Sequence, residues 1–183
     1  YQPTDGYNTS FYQNIPLLSE QNEIINGFEI NKYKSLVSDM VGKISLFGRT
    51  VNSISGDDVR LSKRLYIPSR KLRGFESGKI GPIENGDFVG GNYAASLNLS
   101  STLPQILPSL QNTDFNVFFD AANVWGVDYD SSIDESNTIR SSVGIAMDVL
   151  TPIGPMNFSL SQPVTKKKSD KTETFRFNIG TTF

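Results

Sequence analysis

The chain has 183 residues, 37% of them hydrophobic, with 17 Lys and Arg against 19 Asp and Glu for a formal net charge of −2. A mean hydropathy of −0.28 and the lack of any run of about 18 apolar residues exclude a membrane-spanning helix, and the near-neutral charge argues against nucleic acid as a partner, since such domains carry a basic surplus. Cys and His are both absent, so disulfides, thiol nucleophiles and the commonest general base and metal ligand are unavailable, and neither cofactor nor metal is expected. The sequence opens on Tyr1 without an initiator Met, as expected of a piece of a longer, processed chain.

Along the chain the apolar residues recur with period two. Three weaker segments come first, roughly 7–17, 24–36 and 41–52. A long polar break at 53–90 follows and contains RKLRGF at 70–75. Residues 92–101 then set Tyr93, Ala95, Leu97 and Leu99 against Asn92, Ala94, Ser96, Asn98 and Ser100. The clearest segment, 115–125, sets Phe115, Val117, Phe119 and Ala121 against Asn116, Phe118, Asp120 and Ala122. Residues 139–150 put Val143, Ile145, Met147 and Val149 on one face and Arg140, Ser142, Gly144, Ala146 and Asp148 on the other. Residues 156–162 oppose Met156, Phe158 and Leu160 to Asn157, Ser159 and Ser161, and 175–183 oppose Phe175, Phe177, Ile179 and Phe183 to Arg176, Asn178 and Gly180. Strict alternation marks half-buried strands, so eight antiparallel strands are predicted.

Short breaks fall near Ser38–Gly42 and at 151–155, with a Pro-containing connection at 103–113; longer polar breaks fall at 53–90, 126–138 and 164–174. With the long breaks at one end and the tighter ones at the other, the strands form an up-and-down meander of the kind outer-membrane barrels show. A soluble sandwich or ligand-binding barrel would alternate in the same way. Two details favour the membrane: the polar faces are rich in Ser, Asn, Gly and Ala rather than Lys and Glu, and the chain ends on an aromatic, Phe183, suited to an interfacial girdle.

Several stretches then carry a resemblance: PTDGYN at 3–8, LRGFESGKIGP at 72–82, GGN at 90–92, FFDAANVW at 118–125, IRSSVGIAMDVLTPIGPMNFSLSQP at 139–163 and FRFNIGTTF at 175–183. In order and spacing the chain resembles the C-terminal half of BamA-type outer-membrane assembly barrels, in the superfamily that includes two-partner secretion transporters. The resemblance implies one transmembrane β-barrel domain over 1–183, equivalent to strands nine to sixteen of sixteen, with periplasmic domains and the first barrel half lying outside it. Eight such strands could close alone, pair with a second copy as a homo-oligomer, or stay an open sheet.

The resemblance also assigns roles. The loop at 53–90 folds back into the lumen, where Arg73 of the motif Leu72, Arg73, Gly74, Phe75 contacts Asp120 on the inner wall. Independently, Asp120 lies on the polar face, and a confined carboxylate needs a cation whose planar fork suits it. Gly74 would allow a positive φ and Phe75 would pack on the wall. Two positions depart from the family pattern: Ser100 stands where many relatives carry a Glu facing the motif Arg, and Pro68–Ser69 stand where a Gly pair is usual. The last strand, with Phe175, Phe177, Ile179, Gly180 and Phe183, is implied to be both a lateral gate and a C-terminal assembly signal, its edge open to strand addition.

The remaining motifs carry less. DYDSSIDE at 128–135 lacks the spacing and Gly of an EF-hand and reads as an acidic surface loop, and TKKKSDK at 165–171 reads as a solvated hairpin loop able to touch lipopolysaccharide phosphates. No catalytic constellation is present, so no enzyme is expected. The implied function is folding and insertion of other outer-membrane barrels, with unfolded barrel proteins as substrates, membrane lipid and lipopolysaccharide as surroundings, and assembly lipoproteins as partners of the full-length protein, in the outer membrane of a Gram-negative bacterium. A polypeptide transporter of the two-partner secretion type and an inactive structural barrel fragment are the alternatives.

Overall fold

A computed structural model describes residues 3–16, 22–37, 39–104, 112–152 and 154–180. Eight strands form one antiparallel sheet: β1 (Gly6–Asn14), β2 (Glu23–Ser35), β3 (Val41–Ser53), β6 (Tyr93–Thr102), β7 (Thr113–Trp125), β8 (Arg140–Thr151), β9 (Gly154–Thr165) and β10 (Phe175–Ile179). Each pairs with its neighbours in chain order, giving the predicted meander. Two further strands, β4 (Ile83–Glu84) and β5 (Asp87–Phe88), form a separate small hairpin within the connection from β3 to β6. The connections Ser35–Val41, Thr102–Thr113 and Thr151–Gly154 lie at one end of the sheet. The connections Asn14–Glu23, Ser53–Tyr93, Trp125–Arg140 and Thr165–Phe175 lie at the other.

The register turns alternation into two chemically distinct faces. Opposite pairs such as Ser45 with Asn98, Asn98 with Asp120, Asp120 with Ser142 and Ser159 with Arg176 share the inner face. Pairs such as Ile30 with Leu46, Val117 with Ile145 and Phe158 with Phe177 share the outer one. Tyr7 and Phe11 are 83% and 70% exposed, and Val143, Ile145, Leu160, Phe175 and Ile179 are also exposed on this outer face. Water would make such a surface costly; hydrocarbon makes it neutral, which is the alternation of a membrane-spanning sheet. Pro163 sits mid-strand in β9 without breaking the sheet because the register shifts between Ser141 and Ser142 at its partner strand, and an irregularity is where a residue lacking an N–H is tolerated.

The sheet is open. Among the described residues β1 pairs only with β2 and β10 only with β9, so the eight strands do not close on themselves. The segment from Ile54 to Asn92 lies against the inner face, a volume of chain that the interior of an eight-stranded barrel, only wide enough for its own side chains, would not hold. Val59, Leu65, Ile67, Leu72, Phe75 and Ile80 of this segment pack with Phe47, Val51, Ala94, Ala122 and Val124 of the inner face in one buried apolar cluster. The inner wall is therefore not uniformly polar; it carries an apolar patch where the segment seats.

Candidate functional site

The LRGF motif sits at the bottom of that segment, just after a 3-10 turn at Ser69–Lys71. Arg73 meets Asp120 of β7 bidentately: Nε donates to Oδ2 at 2.7 Å and an Nη donates to Oδ1 at 2.8 Å, while the Arg73 backbone N–H donates to Oδ2 at 3.1 Å. Asn98 of β6 donates to the same carboxylate at 2.9 Å. Asp120 is fully buried and thus has four donors and a full countercharge, as a desolvated carboxylate requires. The guanidinium also stacks on Phe118, with Cζ 3.4 Å from the ring centroid, a cation–π contact strengthened by exclusion of water. Phe118 lies flat because its cross-strand partner is Gly144: a Cβ there would come within 2.5 Å of the ring.

The rest of the motif follows the same logic. Gly74 has φ +87°, and a Cβ on it would lie 3.1 Å and 3.2 Å from the Cβ atoms of Ser142 and Ser161, so both the backbone and the space favour glycine. Ser142 donates its hydroxyl to the Arg73 carbonyl. Leu72 and Phe75 are buried in the apolar cluster. The sequence puts the motif Arg, its carboxylate and the small wall residues within reach through four strands, β6, β7, β8 and β9.

Ser100, the position at which the resemblance implies a second carboxylate, lies on the inner face opposite Phe118. Asn98 takes the second wall contact to Asp120, and its amide also donates to the Lys71 carbonyl at 2.8 Å. The second ion pair forms elsewhere: Lys71 Nζ lies 2.6 Å from Glu29 of β2 and 3.1 Å from the Ser45 hydroxyl of β3. Burial pushes the Lys71 ammonium down, and Glu29 opposes that shift. Sequence reading missed this pair, whose partners are adjacent only through the β2–β3 register and the path of the segment.

The loops beyond the sheet differ from their sequence reading. DYDSSIDE is not a purely solvated acidic loop. Asp128 accepts from Arg64 at 2.5 Å, from the Val59 N–H at 2.7 Å and from Asn92 at 3.0 Å. Burial pushes its carboxyl up, but those donors outweigh the burial and hold it below the ordinary aspartate range. Glu135 is buried against Arg140, which is itself fully buried and also pairs with Asp170 at 3.0 Å and with the Asn123 side chain at 2.8 Å. Lys167 closes the set at 2.8 Å from Glu135. The TKKKSDK hairpin thus contributes Asp170 and Lys167 to a lock between two connections. The cue available in the sequence was Arg140 on a polar strand face, with carboxylates in both flanking loops.

On the last strand, Phe177 stacks with Phe158 across the β9–β10 pair, ring centroids 4.8 Å apart, on the outer face. Phe175 and Ile179 are exposed beside them. β10 ends at Ile179, and Gly180 takes φ +119° while its N–H still donates to the Pro155 carbonyl at 2.9 Å. Phe183 lies outside the described residues. Among the described residues no cluster of potential metal ligands occurs.

A family model described as the Omp85 superfamily domain matches residues 1–183. Similar curated proteins include the outer membrane protein assembly factor BamA of Neisseria meningitidis serogroup B, 32% identical over 141 residues that cover 61% of this chain and 17% of the relative. The BamA of Neorickettsia risticii is 28% identical over 152 residues, covering 80% of this chain and 20% of the relative. Among solved structures, BamA from Haemophilus ducreyi lacking POTRA domains 1–3 matches with a TM-score of 0.85 at 27% identity, over 97% of this chain and 38% of that one. The chain spans about a fifth of the length of these curated relatives, which are named as outer membrane protein assembly factors. An open sheet of eight antiparallel strands, an Arg73 motif seated on its inner wall and a family match over every residue lead to one statement: the chain belongs to the Omp85 superfamily, as a set of BamA-type barrel strands.

Proposed function

We propose that this chain supplies the C-terminal half of a barrel that folds and inserts other β-barrel proteins into the outer membrane of a Gram-negative bacterium. The observation that carries the proposal is the short C-terminal strand β10, Phe175–Ile179, held to the sheet by β9 alone among the described residues and beside a segment seated by Arg73 on Asp120. In hydrocarbon an unpaired strand edge leaves backbone N–H and C=O groups without partners, so it readily accepts another strand. A substrate's terminal strand adding there would gain its hydrogen bonds before it leaves the edge. The outer face, with Phe175, Phe177 and Ile179 exposed, continues into the apolar surface such a substrate presents.

In this reading Leu72, Arg73, Gly74, Phe75 and Asp120 anchor the in-folded segment and perform no chemistry. Phe175, Phe177, Ile179, Gly180 and Phe183 form the gate and terminal signal. Unfolded barrel proteins are the substrates, assembly lipoproteins are partners of the full-length protein, and lipid and lipopolysaccharide surround it. The assembly-factor names of the relatives favour insertion over polypeptide secretion. The test reconstitutes the full-length protein in lipid vesicles and adds a urea-unfolded barrel substrate. Insertion faster than into empty vesicles, and slowed by a cysteine pair that locks β10 to the strand facing its free edge, is expected. Equal rates with and without the protein would overturn the proposal.

A further inference from the structure

Arg176 of β10 is used by none of the roles assigned above, yet it is buried on the inner face at the very edge of the sheet. Its guanidinium does not point at the strand's own hairpin alone. One Nη donates to the Ser69 carbonyl and the other to the Phe75 carbonyl, each at 2.5 Å. One carbonyl precedes the LRGF motif and the other belongs to its last residue. Glu173 holds the guanidinium from behind, accepting from Nε at 2.9 Å and from the second Nη at 2.6 Å. The residues just before β10 add backbone bonds to the same segment. The Glu173 N–H donates to the Gly74 carbonyl at 3.1 Å, the Glu76 N–H to the Lys171 carbonyl at 3.0 Å, and the Lys171 N–H to the Lys79 carbonyl at 3.1 Å. Phe75 and Thr172 form an antiparallel bridge.

We infer that Arg176 is a latch that makes the sheet edge and the in-folded segment release as one unit. Among the described residues β10 has five paired residues on a single neighbour, the least support of any strand in the sheet. The in-folded segment is held at its far side by Asp120 and at its near side by Arg176. A charged donor giving two hydrogen bonds to buried carbonyls ties the two elements more strongly than neutral contacts would. Displacing β10 outward therefore strips the Ser69 and Phe75 carbonyls, and undocking the segment leaves Arg176 facing only Glu173. Coupling of this kind is reciprocal: loosening the segment must loosen the edge, and by the same factor. Arg176 is thus a positioning residue, and the inference rests on reading β10 as the gate.

The test is hydrogen exchange read by mass spectrometry on the full-length protein in lipid vesicles, without substrate, so its outcome is separable from that of the insertion assay. Arg176→Met is expected to raise exchange in 70–79 and in 175–179 together, roughly 10-fold or more in each, while β6, β7 and β8 stay protected. Should Arg176→Met fail to fold, Glu173→Gln keeps both donors but frees their orientation and is expected to give the same joint change, smaller in size. The decisive comparison uses Asp120→Asn, which touches only the far anchor. It is expected to raise exchange in 175–179 when Arg176 is present and to raise it clearly less in the Arg176→Met background, where only the backbone bonds of 171–173 still join the two elements. An Asp120→Asn effect on β10 of the same size with and without Arg176, or an Arg176→Met effect confined to 175–179, overturns the inference.

Discussion

Asp120→Asn is the sharpest perturbation of the anchor, because it changes charge with almost no change in volume. The wild-type carboxylate is fully buried and accepts four hydrogen bonds, three of them from Arg73. The amide would present an NH2 where the guanidinium also presents donors, leaving Arg73 as a largely buried cation without its countercharge. Removing one partner of a buried pair costs about 3–5 kcal/mol. At about 1.4 kcal/mol per tenfold, the docked state of the segment would lose roughly 100- to 3,000-fold in its equilibrium. The apolar cluster of Leu72 and Phe75 remains, so the segment should open often rather than leave for good.

Local opening of this kind is read by amide exchange. Peptides covering 70–79 should exchange faster by a factor approaching that ratio, and peptides from β8 should not. Arg73→Lys should fall between wild type and Asp120→Asn, since an ammonium keeps the charge but loses the bidentate fork and the stacking on Phe118. If Asp120→Asn changes exchange in 70–79 by less than about twofold, the pair is not what holds the segment, and the apolar cluster carries the docking instead.

Four further outcomes can be checked. Acidification from neutral to about pH 3 should free the 126–139 connection from residues 59–64: Asp128 is held below its unfolded value by Arg64, Asn92 and the Val59 N–H, so its contribution is present above the ordinary aspartate range and is lost as pH falls through the lowered value, seen as faster proteolysis of the connection. Gly144→Ala should destabilise the folded sheet by about 1–3 kcal/mol in urea titration, because its Cβ would meet both the Phe118 ring and the Leu160 carbonyl. Arg140→Met should cost about 3–5 kcal/mol by leaving Asp170 buried without a cation and Glu135 with only the half-exposed Lys167, whereas Lys167→Met, whose side chain is 44% exposed, should cost no more than about 1 kcal/mol. Spin labels at Val117, Val143, Ile145 and Phe177 should report hydrocarbon, and labels at Asn98 and Ser142 should not; water at the first group would refute the membrane face.

Strand existence and facing were legible because alternation is a local property. Phe115 to Ala122 needs no knowledge of its neighbours to declare Asp120 polar-side and Val117 apolar-side, and the structure puts them there. The seat of Arg73 was legible only through the motif, since nothing in a Gly- and Pro-rich stretch says that it folds inward. Glu29 with Lys71 was not legible, and for Arg140 with Glu135 and Asp170 the sequence offered only an Arg on a polar face between two acidic loops, not the pairing. Each set joins residues from elements whose closeness depends on register and on the path of a long connection, quantities that periodicity does not encode. Closure was undetermined for a related reason: strand count permits an eight-stranded barrel, and it takes the pairing of the edge strands, absent between β1 and β10 among the described residues, to show an open sheet.

That seated segment resolves a conflict built into the sheet. An open set of eight strands with Asp120, Glu29, Lys43 and Arg49 on its inner face has charges that neither a packed core nor hydrocarbon would accept. Filling the face with an apolar plug would orphan Asp120 and Glu29; leaving it to water would expose Phe47, Val51 and Val124. The segment answers both by carrying Arg73 and Lys71 to the two carboxylates and Leu72 and Phe75 to the apolar patch within a single hexapeptide, 70–75. Because the same hexapeptide ends under Arg176, the most weakly paired strand is stabilised from the inside, by groups that leave its outer edge free. If β10 opens as a gate, it needs support that does not occupy its edge, and inward-facing hydrogen bonds from β10 are the arrangement that meets both demands.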